Sequence, residues 1–286
     1  MAGTEVFTEH RRLLFDVAYR MTGSVADAED LVQEAWLRWS TVDEDSVHNP
    51  KTYLVRTVTN LSINQLTSAR ARRETYVGPW LPEPLLTQPD ASQEAEMAES
   101  ISLAMLVVLE TLSPLERAVF LLHDVFGYSH TEIASIVDKP ETSVRQTASR
   151  ARAHVAARRP RFDTDAKVSM EAVERFRDAC LGGDLNALLD LLAPDVVAWS
   201  DGGGKVQAAL RPLEGADHVA RWVLGVTRKG AQGLSFEVAT INGQPGLLGT
   251  LDGVPVGAVA FDVVDGRITA VRFVVSPDKL RGLQSE

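Results

Sequence analysis

The chain has 286 residues, enough for about two domains, and a hydrophobic share of 45% that supports packed cores. Its single cysteine, Cys180, excludes an internal disulfide and a cysteine-based zinc site. No segment reaches about 18 apolar residues, and the opening MAGTEVFTEHRRLLF lacks the apolar run of a signal peptide, so no membrane span is expected and the protein reads as cytoplasmic.

A net charge of -10 argues against indiscriminate coating of nucleic acid, yet the charge is segregated. Between Ser46 and Arg73 there is no carboxylate, while Lys51, Arg56, Arg70, Arg72 and Arg73 are basic. From Glu74 to Glu116 there are eight acids and no Lys or Arg. From Thr142 to Phe162 the acids vanish again, and Arg145, Arg150, Arg152, Arg158, Arg159 and Arg161 appear. Two cationic blocks thus flank an anionic one.

In chain order, LLFDVAYRMTG has Leu13, Leu14, Val17, Ala18 and Met21 at helical spacing, with Gly23 as a stop. Ser24 is expected to cap a second helix with Asp27 at the capping-box position, and DAEDLVQEAWLRW should bury Leu31, Ala35 and Trp39. Asn49-Pro50 opens a third helix, in which Leu54, Val58 and Leu61 form a core stripe and Arg56, Asn60 and Asn64 a polar one. Pro79, Pro82, Pro84 and Pro89 then break the pattern, and the following acids predict an extended, mobile connector. A helix resumes near Glu94 and another starts at Ser113-Pro114.

The stretch SHTEIASIVDKPETSVRQTASRARAHV reads as two helices separated by a turn at Pro140, the second capped by Thr142 or Ser143. Val144, Ala148 and Ala151 should face inward, leaving Ser143, Arg145, Gln146, Ser149, Arg150 and Arg152 outward. This is a helix-turn-helix pattern, whose second helix reads base edges in the major groove. A solvated basic helix would have the same composition.

Beyond Arg161 the pattern changes. Two helices, around VERFRDACL and LNALLDLLA, precede strand-like runs: VVAWSD, KVQAALR, LSFEVATI, GLLGTLDG, VPVGAVAFDVV and ITAVRFVVS. The helix ADHVARWVLGVTR sits among them, so a small α+β domain with an antiparallel sheet is expected. DGGGK, residues 201–205, reads as a glycine turn in a plain hairpin, although a bare turn requires neither Trp199, Asp201 nor Lys205 beside the glycines.

These blocks carry a resemblance. DAEDLVQEAWLRW with NPKTYLVRTVTNLSINQLTSARARR resembles region 2 of extracytoplasmic-function sigma factors, and LSPLERAVFLLHDVFGYSHTEIASIVDKPETSVRQTASRARAHV resembles their region 4. The family commonly has Trp where this chain has Tyr53, and Arg or Lys where it has Thr147. WLPEPL at 80–85 and DGGGK resemble signatures of the sigma-J-like subgroup, in which a SnoaL-like, NTF2-like cone domain is fused and is thought to regulate the factor.

The resemblance implies a multidomain chain of two all-α sigma domains followed by an α+β cone domain. Region 2 would occupy 1–75, an acidic linker 76–98, region 4 99–162 and the regulatory domain 168–286. It implies that the helix bearing Asp27, Asp30, Gln33 and Glu34 docks on the β′ clamp helices of core RNA polymerase. From residues alone, Asp27, Asp30 and Glu34 form one carboxylate stripe, which a solvated face would also show. Region 4 would meet the β flap and read the −35 element of promoter DNA through the outward face named above. Region 2 would read and open the −10 element, with Asn60 and Asn64 suited to base edges and Arg56, Arg70, Arg72 and Arg73 to phosphates.

Regulatory contacts would fall on Trp80, Leu81, Pro82, Glu83, Pro84, Asp201, Gly202, Gly203, Gly204 and Lys205, through an intramolecular contact of the C-terminal domain with the linker or sigma domains. No cofactor or metal is implied. Two other readings stay open: a ligand-sensing helix-turn-helix regulator independent of polymerase, and a cone-fold enzyme attached to a DNA-binding module. Some cone-fold proteins are isomerases or cyclases. Asp201 and Asp262 are the possible bases, but all four tyrosines (Tyr19, Tyr53, Tyr76, Tyr128) lie outside the domain and nothing places a donor opposite them.

Overall fold

The computed structural model describes residues 2–43, 46–73, 76–87, 101–158, 166–229 and 233–283. The chain forms two compact units, one from residues 1–75 and 106–159 and the other from 76–105 and 160–286.

The first unit is helical. Helix α1 spans Ala2–Thr22, α2 Val25–Trp39 and α3 Pro50–Arg73. Gly23, at a φ of 68°, ends α1 as the sequence suggests, and the Ser24 side chain accepts from the Asp27 amide to start α2. The carboxylate of Asp27 does not complete a capping box with the Ser24 backbone; its Oδ1 accepts from Gln65 Nε2 at 3.1 Å and ties α2 to α3. An Asp is one methylene short of the Glu that makes this box well, and the neighbouring helix supplies a better donor. Leu31, Ala35, Trp39, Leu54, Val55 and Val58 are all buried.

Helices α4 (Leu103–Leu109) and α5 (Pro114–Phe120) follow, α5 running on into one π-helical turn, Leu121–Val125. Ser113 and Glu116 form a full capping box, and hydrogen bonding to Ser113 holds the Glu116 carboxyl below the usual range. α6 (His130–Val137) has a second such box from Ser129 and Glu132 and ends on Asp138 in the left-handed region at a φ of 52°. That residue and Pro140 turn the chain into α7, Glu141–Arg158. Thr142 and Ser143 therefore lie inside α7 rather than capping it.

Arg117 was missed in the sequence. Its guanidinium is 3% exposed and donates to the Met21 carbonyl and to Glu110, joining α5 to the end of α1. Burial pushes its pKa down to about 9.

The second unit packs α8 (Ala166–Gly182), α9 (Leu185–Leu191) and α10 (Ala216–Lys229) with a six-stranded sheet. The strands are β1 (Leu192–Asp201), β2 (Leu213–Glu214), β3 (Leu234–Ile241), β4 (Gln244–Leu251), β5 (Val254–Val264) and β6 (Arg267–Val274), in the order β2-β1-β6-β5-β4-β3. Phe176 and Phe261 meet edge to face at the centre of the core, and Leu188, Val196, Val219, Ile268 and Val271 are fully buried around them. This is the α+β layout expected of the cone domain.

Two expectations are corrected. The sheet is mixed, not antiparallel, because β1 pairs in parallel with β6 across the long excursion through α10 and the β3–β6 meander. KVQAALR forms no strand. After Gly202 the chain turns, with the amides of Lys205 and Val206 both donating to the Gly202 carbonyl, and Val206 and Leu210 stay exposed in a loop leading to Pro212. DGGGK consequently opens this loop and is not a hairpin turn.

Candidate functional sites

α7 has two chemically distinct faces. Val144, Thr147, Ala148, Ala151 and Val155 are buried, while Arg145, Gln146, Ser149, Arg150 and Arg152 are exposed and Ser143 is half-buried. Thr147, marked as a departure from the common Arg or Lys, thus lies on the inward face. Two of the outward arginines are already paired: Arg145 with Glu141 at 2.6 Å and Arg152 with Asp124 at 2.7 Å. Both pairs are solvent-exposed and weak enough to exchange for phosphate or base partners.

On α3, Arg56 and Asn64 are exposed. Asn60 is half-buried, and its Nδ2 donates at 3.1 Å to the Ile136 carbonyl at the end of α6. A residue expected to touch bases is here a tie between α3 and α6. The side chains of Arg70, Arg72 and Arg73 lie outside the described ones, as does the linker from residue 88 to 100. On α2, Asp30 and Gln33 are exposed, Glu34 is half-buried and pairs with Arg38 at 3.0 Å, and Asp27 is occupied by Gln65. Leu37, one turn beyond Glu34 and Gln33, is 53% exposed. The face is therefore acidic with an exposed apolar residue at its C-terminal end.

The tightest constellation lies in the second unit, where residues 76–87 form a strap on the C-terminal domain. Asp201, at the end of β1, is completely buried. Its carboxylate accepts from the Tyr76 hydroxyl at 2.6 Å, the Leu81 amide at 2.8 Å, the Gly203 amide at 3.0 Å and Lys279 Nζ at 2.7 Å. These four donors replace the water that the carboxylate gives up on burial. The Lys279 ammonium also donates to the Leu81 carbonyl, and it sits 4.1 Å from the Trp80 ring centre and 5.1 Å from that of Tyr76. Two aromatic faces and one carboxylate thus enclose the cation. Burial, then the bond to Asp201, pushes the Tyr76 pKa well above the ordinary tyrosine value.

The far end of the strap is fastened to β3 and its turn. Leu85 exchanges hydrogen bonds with Asn242, its amide donating to Oδ1 at 3.1 Å and its carbonyl accepting from the Asn242 amide at 2.8 Å. Leu86 bridges to Ile241, and the Thr87 amide donates to the Thr240 carbonyl at 2.9 Å. β1 and β3 are four strand steps apart in the sheet, about 19 Å. Leu81 to Leu86 is six residues, whose five steps reach about 17 Å when extended; the Asp201 side chain, which meets the Leu81 amide, makes up the rest of the span, so the strap cannot coil. Pro82 and Pro84 enforce extension on themselves and on Leu81 and Glu83 before them. Leu81 and Glu83 are both buried. The linker was expected to be extended and mobile; its described half is extended and pinned.

Two of the three glycines of DGGGK border this docking, while Gly202 is required by its own loop, where a Cβ would stand 2.6 Å from the Val206 carbonyl. Gly203 and Gly204 have φ of 61° and 71°; a Cβ on Gly203 would stand 2.5 Å from Ser276 Oγ, and one on Gly204 3.2 Å from Val77 of the strap. Lys205 lies outside the clasp and pairs with the half-exposed Asp278, whose carboxyl it holds below the usual range. Tyr76, Lys279, Ser276 and Asn242 were missed. The only sequence signal for them was the unexplained company of Asp201.

The enzyme reading loses both its bases. The four donors on Asp201 leave it no free role. Asp262 is in a bidentate ion pair with Arg272, at 2.7 and 2.9 Å, with the guanidinium 5.3 Å from the Trp199 ring centre. Among the described residues no His, Cys, Asp and Glu group could hold a metal, and no helix is long and apolar enough to cross a membrane.

The chain matches Sigma-70 region 2 over residues 6–72 and Sigma-70, region 4 over residues 102–155. It is 40% identical to the ECF RNA polymerase sigma factor SigJ of Mycobacterium tuberculosis, over 96% of this chain and 92% of that one. It is 30% identical to the probable ECF RNA polymerase sigma factor SigI of the same species, over 97% and 94%. The crystal structure of M. tuberculosis SigJ superposes with a TM-score of 0.77 at 37% identity, covering 98% of each chain. The helical unit thus holds the two sigma blocks, α7 is the second helix of the region 4 helix-turn-helix, and the chain belongs to the extracytoplasmic-function family of RNA polymerase sigma factors.

Proposed function

We propose that this chain directs bacterial RNA polymerase core to a specific set of promoters in the cytoplasm, and that its C-terminal domain governs this activity by holding the linker. It binds and positions, and carries out no covalent chemistry. The observation that carries the reading is the pair of sigma blocks in one chain, with α7 turning Arg145, Gln146, Ser149, Arg150 and Arg152 outward over an apolar inner face.

In this reading Asp30, Gln33 and Glu34, with the exposed Leu37, dock on the β′ clamp helices, where acids meet basic partners and the leucine supplies buried area. Asp27 acts indirectly by fixing α2 against α3. Arg56 and Asn64, with Arg70, Arg72 and Arg73 further along α3, engage the −10 element, and Asn60 joins them once released from Ile136. Ser143, Arg145, Gln146, Ser149, Arg150 and Arg152 engage the −35 element. Trp80, Leu81, Pro82, Glu83 and Pro84 with Asp201 and the three glycines 202–204 form the regulatory clasp, and Lys205 is peripheral to it. Reconstitution tests the whole: core polymerase with this protein should initiate at cognate fragments of the source genome where core alone does not. Failure on a complete fragment library would reject the proposal.

A further inference from the structure

We propose that the C-terminal domain binds a neutral, apolar small molecule of about the size of a substituted benzene, and that occupancy tightens the clasp on the linker. The site is a cavity of about 170 Å³ between α8, α10 and the sheet. Its walls include Phe176 and Cys180 of α8, Trp222 of α10, and Leu247, Val256 and Phe273 of β4, β5 and β6. Apolar cavities of about 150 Å³ stay dry and take up benzene-like molecules.

The polar groups around it are few and already have partners within the domain. Thr227 Oγ1 donates to the Val223 carbonyl of its own helix at 3.0 Å, and the Arg177 guanidinium is held by Asp178 at 2.8 Å. Burial pushes the Cys180 thiol up to about 12, so it stays protonated and unreactive. Apart from Thr227 and Arg177 the lining is apolar and supplies no acid and base for turnover, so the cavity selects chiefly for shape and apolarity.

The cavity also shares a wall with the clasp. Val275 lines it, and the amide of the same residue donates to the Asp201 carbonyl at 2.9 Å. The next residue, Ser276, is buried and hydrogen-bonds Tyr76. Gly257, beside Val275 on the neighbouring strand β5, also lines the cavity, and a Cβ there would stand 3.3 Å from the Val275 side chain. An occupant packed on Val275 therefore braces the backbone that presents Asp201 and Ser276 to the strap. The coupling rests on the regulatory reading of the strap; the binding site does not.

Toluene is a suitable probe, added to the full-length chain without polymerase or DNA. It should raise the melting temperature by about 2 °C or more and slow hydrogen exchange of the Leu81 amide about threefold or more. Val256→Trp, which fills the cavity, and Val226→Trp, which plugs its mouth from an exposed position, should abolish both effects while circular dichroism stays native. No thermal shift, or a shift that persists in a folded variant of either kind, overturns the site. A shift without slower Leu81 exchange overturns the coupling. Because no transcription is measured, neither result bears on whether the chain acts as a sigma factor.

Discussion

Asp201 and Lys205 stand at the two ends of one short motif, yet their surroundings assign them different weights. Asp201 is fully buried beneath four donors, and its partner Lys279 is nearly as enclosed. Asp201→Asn keeps the shape but leaves the Lys279 ammonium without a counter-charge, which should cost strap docking about 3–5 kcal/mol. The Leu81 amide should then lose its protection in hydrogen exchange, and promoter-dependent output should change with it. Lys205 and Asp278 are both about half exposed, and such a pair contributes about 1 kcal/mol or less. Lys205→Ala should leave Leu81 exchange close to native.

Tyr76 gives the clasp a pH limit. Its bound pKa is raised, so its contribution is complete below the free tyrosine value of about 10 and is lost as pH rises through the bound value. In a titration of phenolate absorbance at 295 nm, Tyr76→Phe should delete a late-ionising step. The motif's glycines were legible as a turn. Its aspartate was not legible as a clasp, because every partner is more than 70 residues away in sequence or lies in the backbone.

At the scale of elements, the helices were the most legible feature, since their apolar residues recur at helical spacing and their caps are local. Gly23, Asn49-Pro50 and Pro140 all mark boundaries close to those observed. KVQAALR failed because a strand also needs a partner edge, and the turn after Gly202 takes the segment away from one. The inward and outward faces of α7 followed from the spacing of Val144, Ala148 and Ala151. Arg145→Ala and Arg150→Ala should each weaken −35 binding by about 1–3 kcal/mol if the side chain reads a base edge. A lower salt slope with unchanged sequence preference would instead mark a phosphate contact. Fluorescence anisotropy on matched and scrambled duplexes at several salt concentrations separates the two.

At the scale of the molecule, the helical unit has both sigma blocks in one body, with Asn60 of α3 bonded to Ile136 of α6 and Arg117 joining α5 to α1. A compact body of roughly 130 residues has a radius of gyration of about 14 Å. Elements centred 25 base pairs apart are about 85 Å apart along the duplex at 3.4 Å a step. One closed body cannot reach both, so the blocks must separate on the polymerase. Dyes on α2 and α7 should show high energy transfer in the free protein and low transfer in the promoter complex. Unchanged transfer would mean that the closed body is the active form. Asn60→Ala should ease opening, since it removes a hydrogen bond worth about 1 kcal/mol, and should impair −10 opening if the released amide reads a base.

Read along the chain, the residues mark out the helices and their faces, the segregation of charge and, through motif resemblance, the family and the order of its parts. The helices, faces and charge rest on local periodicity, capping and composition, and the family on motifs that resemble known ones, all of which a linear reading contains. Only the folded chain shows that β1 lies parallel to β6, that Asn60 and Asp27 bond to neighbouring helices, and that residues 76–87 of the proline-rich linker are bound rather than loose. Each of those depends on which distant group offers an uncovered donor, acceptor or sheet edge. The buried carboxylate of Asp201 makes the point: its charge is written in the sequence, but the phenol, amides and ammonium that make its burial tolerable meet only when the chain folds.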